Sequence, residues 1–247
     1  MKFKRRRAGA CAAMLLIAPA AAMAQDQPLM RLGPQAPPPP GYQRFCEREP
    51  SDCPSAARVG KSYWAAAFGS GKRYDAYAGP PSAIRTRAAP RDWFRRAVRA
   101  APPERVPPAA RDGRIRLTAE TSATLERVNR QVNGAIASAP DWKVYGQKDY
   151  WALPLSRAGR RAGDCEDYVL EKRHQLLAAG FPMNQLSVAL VRTRRGDTHA
   201  VLLVETDQGP LVLDNRSDKV RSWARLKDRW IMRQSSENPG QWVTIRS

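Results

Sequence analysis

Apolar positions recur at spacings of three and four between residues 125 and 136, where Leu125, Val128, Val132 and Ile136 form one stripe. This is the pattern of a helix with one buried side. Thr118 stands where an N-cap belongs, so the helix is predicted over about 119–137. A second helical pattern runs from Glu166 to Ala178, with Val169, Leu170, Leu176 and Leu177 on its apolar face and Gly180 and Pro182 stopping it. The period then changes. "LSVALVR" (186–192), "HAVLLVE" (199–205) and "PLVLDN" (210–215) are β-rich runs separated by the turn-like "TRRGD" and "TDQG". The last two are predicted to form a hairpin. "IRLT" after Arg114 reads as a short strand, and "YGQKDYWALP" as a loop. "RDWFRRAVRAA" (91–101) reads as a short helix ended by Pro102 and Pro103.

The N-terminus follows another logic. "MKFKRRRAGACAAMLLIAPAAAMAQ" joins a basic run to an apolar stretch from Ala8 to Ala22, with small Ala22 and Ala24 flanking Met23. Residues 1–24 are therefore expected to be a cleaved secretory signal. The apolar run is broken by Pro19 and is shorter than the roughly 20 residues a membrane span needs. Five of the 42 basic residues (Lys2, Lys4, Arg5, Arg6, Arg7) and no acid would leave with it, so 37 basic stand against 23 acidic residues, a formal charge of +14. The exported chain would be directed to the periplasm, with a strongly basic surface.

Residues 25–41, ending in "GPQAPPPPG", read as a proline-rich linker. Residues 42–54 hold Cys46 and Cys53 in a turn-rich stretch, and their closeness favours a clip between them. Residues 55–113, rich in Ala, Arg, Pro and Gly, read as a basic, partly disordered insertion. Within it and just beyond, residues 85–116 carry Arg91, Arg95, Arg96 and Arg99 near Trp93 and Phe94. That stretch is a candidate dock for an anionic partner; export makes nucleic acid the least favoured one. Residues 114–247 form the main folded unit.

Candidate chemistry centres on "GDCEDYVLEKRH" (163–174), which raises the question of a nucleophile, a disulfide partner or a metal ligand. Loss of Cys11 with the signal leaves Cys46, Cys53 and Cys165, an odd number in an exported protein, so one thiol stays free. Cys165 stands at a helix start, beside unsatisfied backbone N–H groups that stabilise a thiolate. A nucleophile needs a base, and the chain has two histidines. His174 is nine residues on, about 900° around the helix and so on its far side. His199 remains. Folding the predicted hairpin puts Asp214 opposite residues 200–203, close enough to orient His199, with Asn215 as the neighbouring alternative. Asp164, Glu166 and Asp167 either complement the helix dipole or offer hard oxygen ligands to a cation. Gln147 and Trp151 are candidates for a second oxyanion donor beside the backbone N–H of Cys165.

"YGQKDYW", "GDCEDYVLEKRHQLLAAG", "HAVLLVETDQGPLVLDN" and "RQSSENPGQW" resemble the bacterial transglutaminase-like cysteine peptidases, whose best-known branch is LapG-like. The resemblance spans roughly residues 114–242, and "GYQRFCEREPSDC" is similar to the family's N-terminal start. It implies an α+β fold of the papain/transglutaminase-like type, with the nucleophile at the N-terminus of a helix packed on an antiparallel sheet. It implies a cysteine peptidase with Cys165 as nucleophile, His199 as base and Asp214 as orienter, acting through an acyl-enzyme. The LapG-like branch further implies calcium held by Asp164, Glu166 and Asp167, a surface adhesin as the protein substrate, and a regulatory membrane protein as partner. No organic cofactor is implied. Transfer of the acyl group to an amine, as in a transglutaminase-like enzyme, and a binding role of the same fold through the basic segment are the alternatives.

Overall fold

A computed structural model describes residues 30–53, 107, 109–110 and 112–246. The signal expected at 1–24, most of the basic segment 55–113 and the helix expected at 91–101 lie outside the described residues. Among the described residues no helix is long and apolar enough to cross a membrane.

The frame is a seven-stranded antiparallel sheet. Its strands are β1 (Leu32–Ala36), β4 (Leu186–Arg192), β5 (Thr198–Val204), β6 (Leu211–Asp214), β7 (Ser217–Ser222), β8 (Arg229–Gln234) and β9 (Trp242–Ile245), in the order β1-β9-β8-β4-β5-β6-β7. A small parallel pair, β2 (Ala137–Ser138) and β3 (Ala162–Gly163), stands apart. The helices are α1 (Pro40–Arg48), α2 (Ala119–Ala135), α3 (Asp141–Val144) and α4 (Cys165–Ala178). The expected arrangement of a helix with Cys165 at its start, packed on an antiparallel sheet, is present.

The central strands β4 and β5 are almost wholly buried because both of their faces are covered. Val188, Leu190, Ala200, Leu202 and Val204 join the core under α2 and α4. Ala189, Val191, Val201 and Leu203 join a smaller cluster with Trp230 and Ile245 on the other face. The two strands pair from Leu186↔Val204 to Arg192↔Thr198, and β5 pairs β6 at Leu202↔Leu213, the expected hairpin. Helix α2 starts where expected, with the Thr118 hydroxyl accepting from Thr121 N at 3.1 Å, and buries Leu125, Val128 and Val132. "IRLT" is not a strand; only Ile115 makes isolated bridges, to Ala109 and Thr206.

Helix α4 departs from the single apolar face the pattern suggested. Glu171, Lys172 and Arg173 are as buried as Val169, Leu170 and Leu176, while Leu177 is only partly so. The helix is enclosed on several sides, and most of its polar groups find partners there. Glu171 accepts from Leu155 N (3.2 Å) and Ser156 N (3.3 Å), and Arg173 donates to the Tyr42 hydroxyl at 3.1 Å. His174 is bonded to Asp52 at 2.6 Å, on the side of the N-terminal segment, in keeping with its far-side phase.

The linker reading of residues 25–41 fails for its second half. Residues 32–36 form β1 along β9, with Leu32↔Ile245 and Ala36↔Trp242, and Pro40 opens α1. An edge strand is held by backbone hydrogen bonds, which need no apolar side chains, and proline suits both an edge and a first helical turn. The turn-rich reading of 42–54 gives way to a helix as far as Arg48, followed by the Cys46–Cys53 disulfide at a Cα–Cα distance of 5.5 Å. Tyr42 is the anchor: its ring stands edge-on to Trp151 (5.5 Å) and Trp242 (5.4 Å), and its hydroxyl also accepts from Gln234 Nε2 at 2.8 Å. Gly41 lets it approach, since a Cβ there would meet Trp151 at 2.3 Å. Tyr42→Phe should cost about 2 kcal/mol by stripping two buried donors of their acceptor, measured by chemical denaturation. A passive linker would show no change.

Candidate active site

Cys165 is the first residue of α4, and its neighbours come from β5 and from the loop before α4. Its Sγ accepts from Ala200 N at 3.5 Å and donates to Glu166 Oε2 at 3.1 Å. It is the free cysteine among the described residues, and it is buried. A pocket opens onto it, lined by Lys148, Asp149, Trp151, Asp164, Cys165, Glu166, Leu190, Thr198 and Ala200. Gln147 is exposed and not part of that lining. Trp151 lines the pocket, but its Nε1 donates to Asp149 Oδ1 at 2.9 Å, so it is committed elsewhere.

His199 and Asp214 meet as the hairpin register requires. Carrying Leu202↔Leu213 one step on sets Asp214 opposite Val201, two residues from His199. His199 Nε2 lies 2.9 Å from Asp214 Oδ1, with both side chains buried. The other ring nitrogen, Nδ1, is buried without a hydrogen-bond partner. His199 directly precedes Ala200, whose N–H touches the thiol. Asn215, the alternative orienter, makes no such bond to His199; its Oδ1 is unpartnered.

Burial pushes the Asp214 carboxyl up, but hydrogen bonds from His199 and Arg216 outweigh it and hold Asp214 well below the usual carboxylate range. The thiol goes the other way: burial, then Glu166, then Asp164, push Cys165 well above an ordinary cysteine. The helix start alone does not deliver a thiolate among so many acids.

Those acids form a second constellation. Carboxylate oxygens of Asp141, Asp164 and Asp167 lie within 4.8 Å of one another, all buried, and Asp164, Cys165 and Glu166 form an overlapping group. The expected cation ligands Asp164, Glu166 and Asp167 fall within these two overlapping groups. Glu166 also accepts from the thiol, and Asp141, 23 residues before Asp164, adds a further carboxylate. The β2–β3 pairing brings the two segments together, since α3 follows β2 and α4 follows β3. No local pattern announces Asp141. Asp164 sits at the N-cap of α4 yet makes no capping hydrogen bond, and its Oδ1 and that of Asp141 are buried without partners. Asp167 accepts from Ala152 N (2.8 Å) and Tyr145 Oη (3.2 Å) and lies over Gly163, where a Cβ would stand 2.1 Å from its Oδ2.

Helix-dipole complementarity does not account for this arrangement. Burial, reinforced by the neighbouring carboxylates, raises Asp141 to about 7 and Asp164 to about 10, and burial raises Glu166 to about 8. Hard oxygen donors, buried, mutually repelling and partly unsatisfied, suit a calcium ion. Three carboxylates supply up to six oxygens, the lower end of what calcium takes.

A buried thiol at a helix start, with a hydrogen-bonded histidine–aspartate pair on the neighbouring strands, is an arrangement in which a cysteine nucleophile could work. The sequence pattern of the family described as bacterial transglutaminase-like cysteine proteinase (BTLCP) matches residues 86–247. The chain belongs to that family and is a cysteine peptidase with a transglutaminase-like fold. The match takes in residues 86–113 of the basic segment. Among solved structures the chain is similar to calcium-bound LapG of Legionella pneumophila, with 28% identity over 51% of this chain and 71% of that one and a TM-score of 0.41. Two further LapG structures from that organism, one treated with EGTA, are 29% identical over 49% of this chain and 66–67% of theirs, again with a TM-score of 0.41. No curated protein matches.

The raised acids set a pH dependence. A carboxyl whose folded value lies above its unfolded value of about 4 contributes stability that is present below that value and lost as pH rises through the folded one. Chelator-treated protein should therefore lose more than about 1 kcal/mol between pH 5 and pH 8, as Asp141 and Glu166 are forced to ionise, and added calcium should flatten the curve. Melting curves across pH with and without calcium measure it.

Proposed function

We propose that the peptidase works through a Cys165, His199 and Asp214 triad on a protein substrate outside the cytoplasm. The observation that carries the reading is the His199–Asp214 hydrogen bond, which leaves Nδ1 unpartnered beside the residue that touches the thiol. His199 takes the thiol proton through Nδ1, while Asp214 holds the ring through Nε2 and stabilises the imidazolium. The Cys165 sulfur attacks the peptide carbonyl, whose oxyanion meets the backbone N–H of Cys165 at the start of α4. The C–N bond breaks, the imidazolium gives its proton to the leaving amine, and a thioester remains. Water activated by His199 hydrolyses the thioester, releasing the acid and the thiol.

Asp141, Asp164 and Asp167 would hold calcium. Bound there, the ion supplies positive charge that lets these acids ionise without lifting the thiol, and so favours the thiolate. The unpartnered, buried oxygens of Asp141 and Asp164 support this part of the reading. Glu166, bonded to Sγ, holds the thiol until substrate or a change in its own protonation displaces it. Export is part of this reading, supported by the leader expected at 1–24 and by the pairing of Cys46 with Cys53. By resemblance, the substrate is a surface adhesin and a membrane protein regulates access to it. The basic residues at 85–116 would serve docking to anionic surfaces.

The test is labelling of Cys165 by a thiol-directed peptidyl probe. Cys165→Ala should abolish labelling, and His199→Ala should slow it by about 10²–10⁴-fold. His174→Ala should change it by less than about twofold, since that ring faces Asp52 on the far side of α4. Chelation should lower both labelling and melting temperature, and calcium should restore both. Equal losses from the two histidine variants would refute the triad.

A further inference from the structure

Asp214 is held from two sides, and the triad accounts for only one of them. Arg216, two residues on in the β6–β7 turn, donates from Nε to Oδ1 (3.2 Å) and Oδ2 (3.0 Å) and from NH2 to Oδ2 (2.8 Å). Its backbone N–H donates to Oδ1 at 2.9 Å. The same NH2 donates to Asp228 Oδ2 at 2.5 Å, so the guanidinium is itself anchored by the residue just before β8. Asn133 Nδ2, from α2, holds the Asp214 backbone carbonyl at 3.2 Å. The turn needs such restraint because the β6–β7 register shifts between Val212 and Asp214, a break in alternation of the kind that redirects a strand's side chains.

We propose that Arg216, braced by Asp228, is a positioning residue that fixes the Asp214 carboxylate with Oδ1 turned to His199. The proposal rests on the triad reading. A free carboxylate turns about its own χ2 and offers either oxygen to the ring or to water. The guanidinium fork holds Oδ2 with two donors, and Oδ1, which Arg216 also steadies from its backbone N–H, is thereby turned to meet Nε2.

The charged and titratable groups around this pair come from every packed element. Cys165, with Asp164 and Glu166 beside it, and Lys172 lie on or at the start of α4; Arg216 is in the turn, Asp218 on β7 and Asp228 before β8. Lys172, buried with its Nζ unpartnered, lies within electrostatic reach of Asp214 and Asp218. Arg216 differs from it in touching the carboxylate directly.

The chain has two histidines, so histidine-labelled, calcium-loaded full-length protein resolves both rings by NMR, with His174 as internal reference. In the parent, the proton on His199 Nε2 should give a slowly exchanging downfield signal. In Arg216→Gln that signal should broaden or vanish. Arg216→Lys, which keeps the charge without the fork, should also weaken the Nε2–H signal. An Arg216→Gln protein with a parent-like signal would overturn the proposal. Unchanged signals in Asp214→Asn would instead refute the His199–Asp214 pairing on which it rests.

Discussion

Helix α4 is pressed against β5 by Val169 and Leu176 on one element and Ala200, Leu202 and Val204 on the other, all within a single core. That packing fixes where the first turn of α4 ends up, and the thiol of Cys165 arrives against the N–H of Ala200 as a result. The histidine need not be steered separately, because it is the residue before Ala200 on a strand paired on both sides. A strand buried on both faces can neither slip nor bend at modest cost, since a one-residue slip would exchange its two apolar faces and misplace every polar end. The geometry of the site is thus inherited from apolar packing several residues away.

The acids around the thiol oppose that economy. Packing alone places Asp141, Asp164 and Asp167 where they repel one another, and Glu166 where it binds the sulfur. A protein that buried these groups only for stability would gain by replacing them with apolar residues of similar size. A cation held between the α3 segment and the start of α4, as proposed above, would offset that cost. Around Asp214, charge is handled by the protein itself: Asp214 lies between a histidine and an arginine, and the arginine between two aspartates.

What the sequence makes legible follows from the range of the interactions. Helix α2 and strands β4 to β6 announce themselves because their periods reflect one buried stripe or a covered strand, and α4 does so by its length and its Gly180 and Pro182 stop. Cys165 and His199 follow because a helical phase removes His174 and leaves a single partner. Asp214 follows from counting along a hairpin. The remainder depends on closure over long distances. β7, "SDKVRS", has little apolar signal since it is an edge, and β1 contains a glycine and a proline that locally argue for a loop. Asp141 joins Asp164 only through the short parallel pairing of β2 with β3. The role of Arg216 shows only when the turn is built. Burial of Glu171, Lys172 and Arg173 could not be read from their spacing, because it reflects what surrounds α4 rather than α4 itself.

The pairing of β1 with β9 joins residues near 35 to residues near 243, yet the stretch that matches the family begins at residue 86. A chain trimmed to that boundary would keep Cys165, His199 and Asp214 but would uncover β9, a row of free N–H and C=O groups beside a Trp242 that had lost Tyr42. Such an edge is a template for adding a foreign strand. β1, short and interrupted by Pro34, is a poorer template than the edge it covers, so residues that take no part in the chemistry limit strand addition at this end of the sheet.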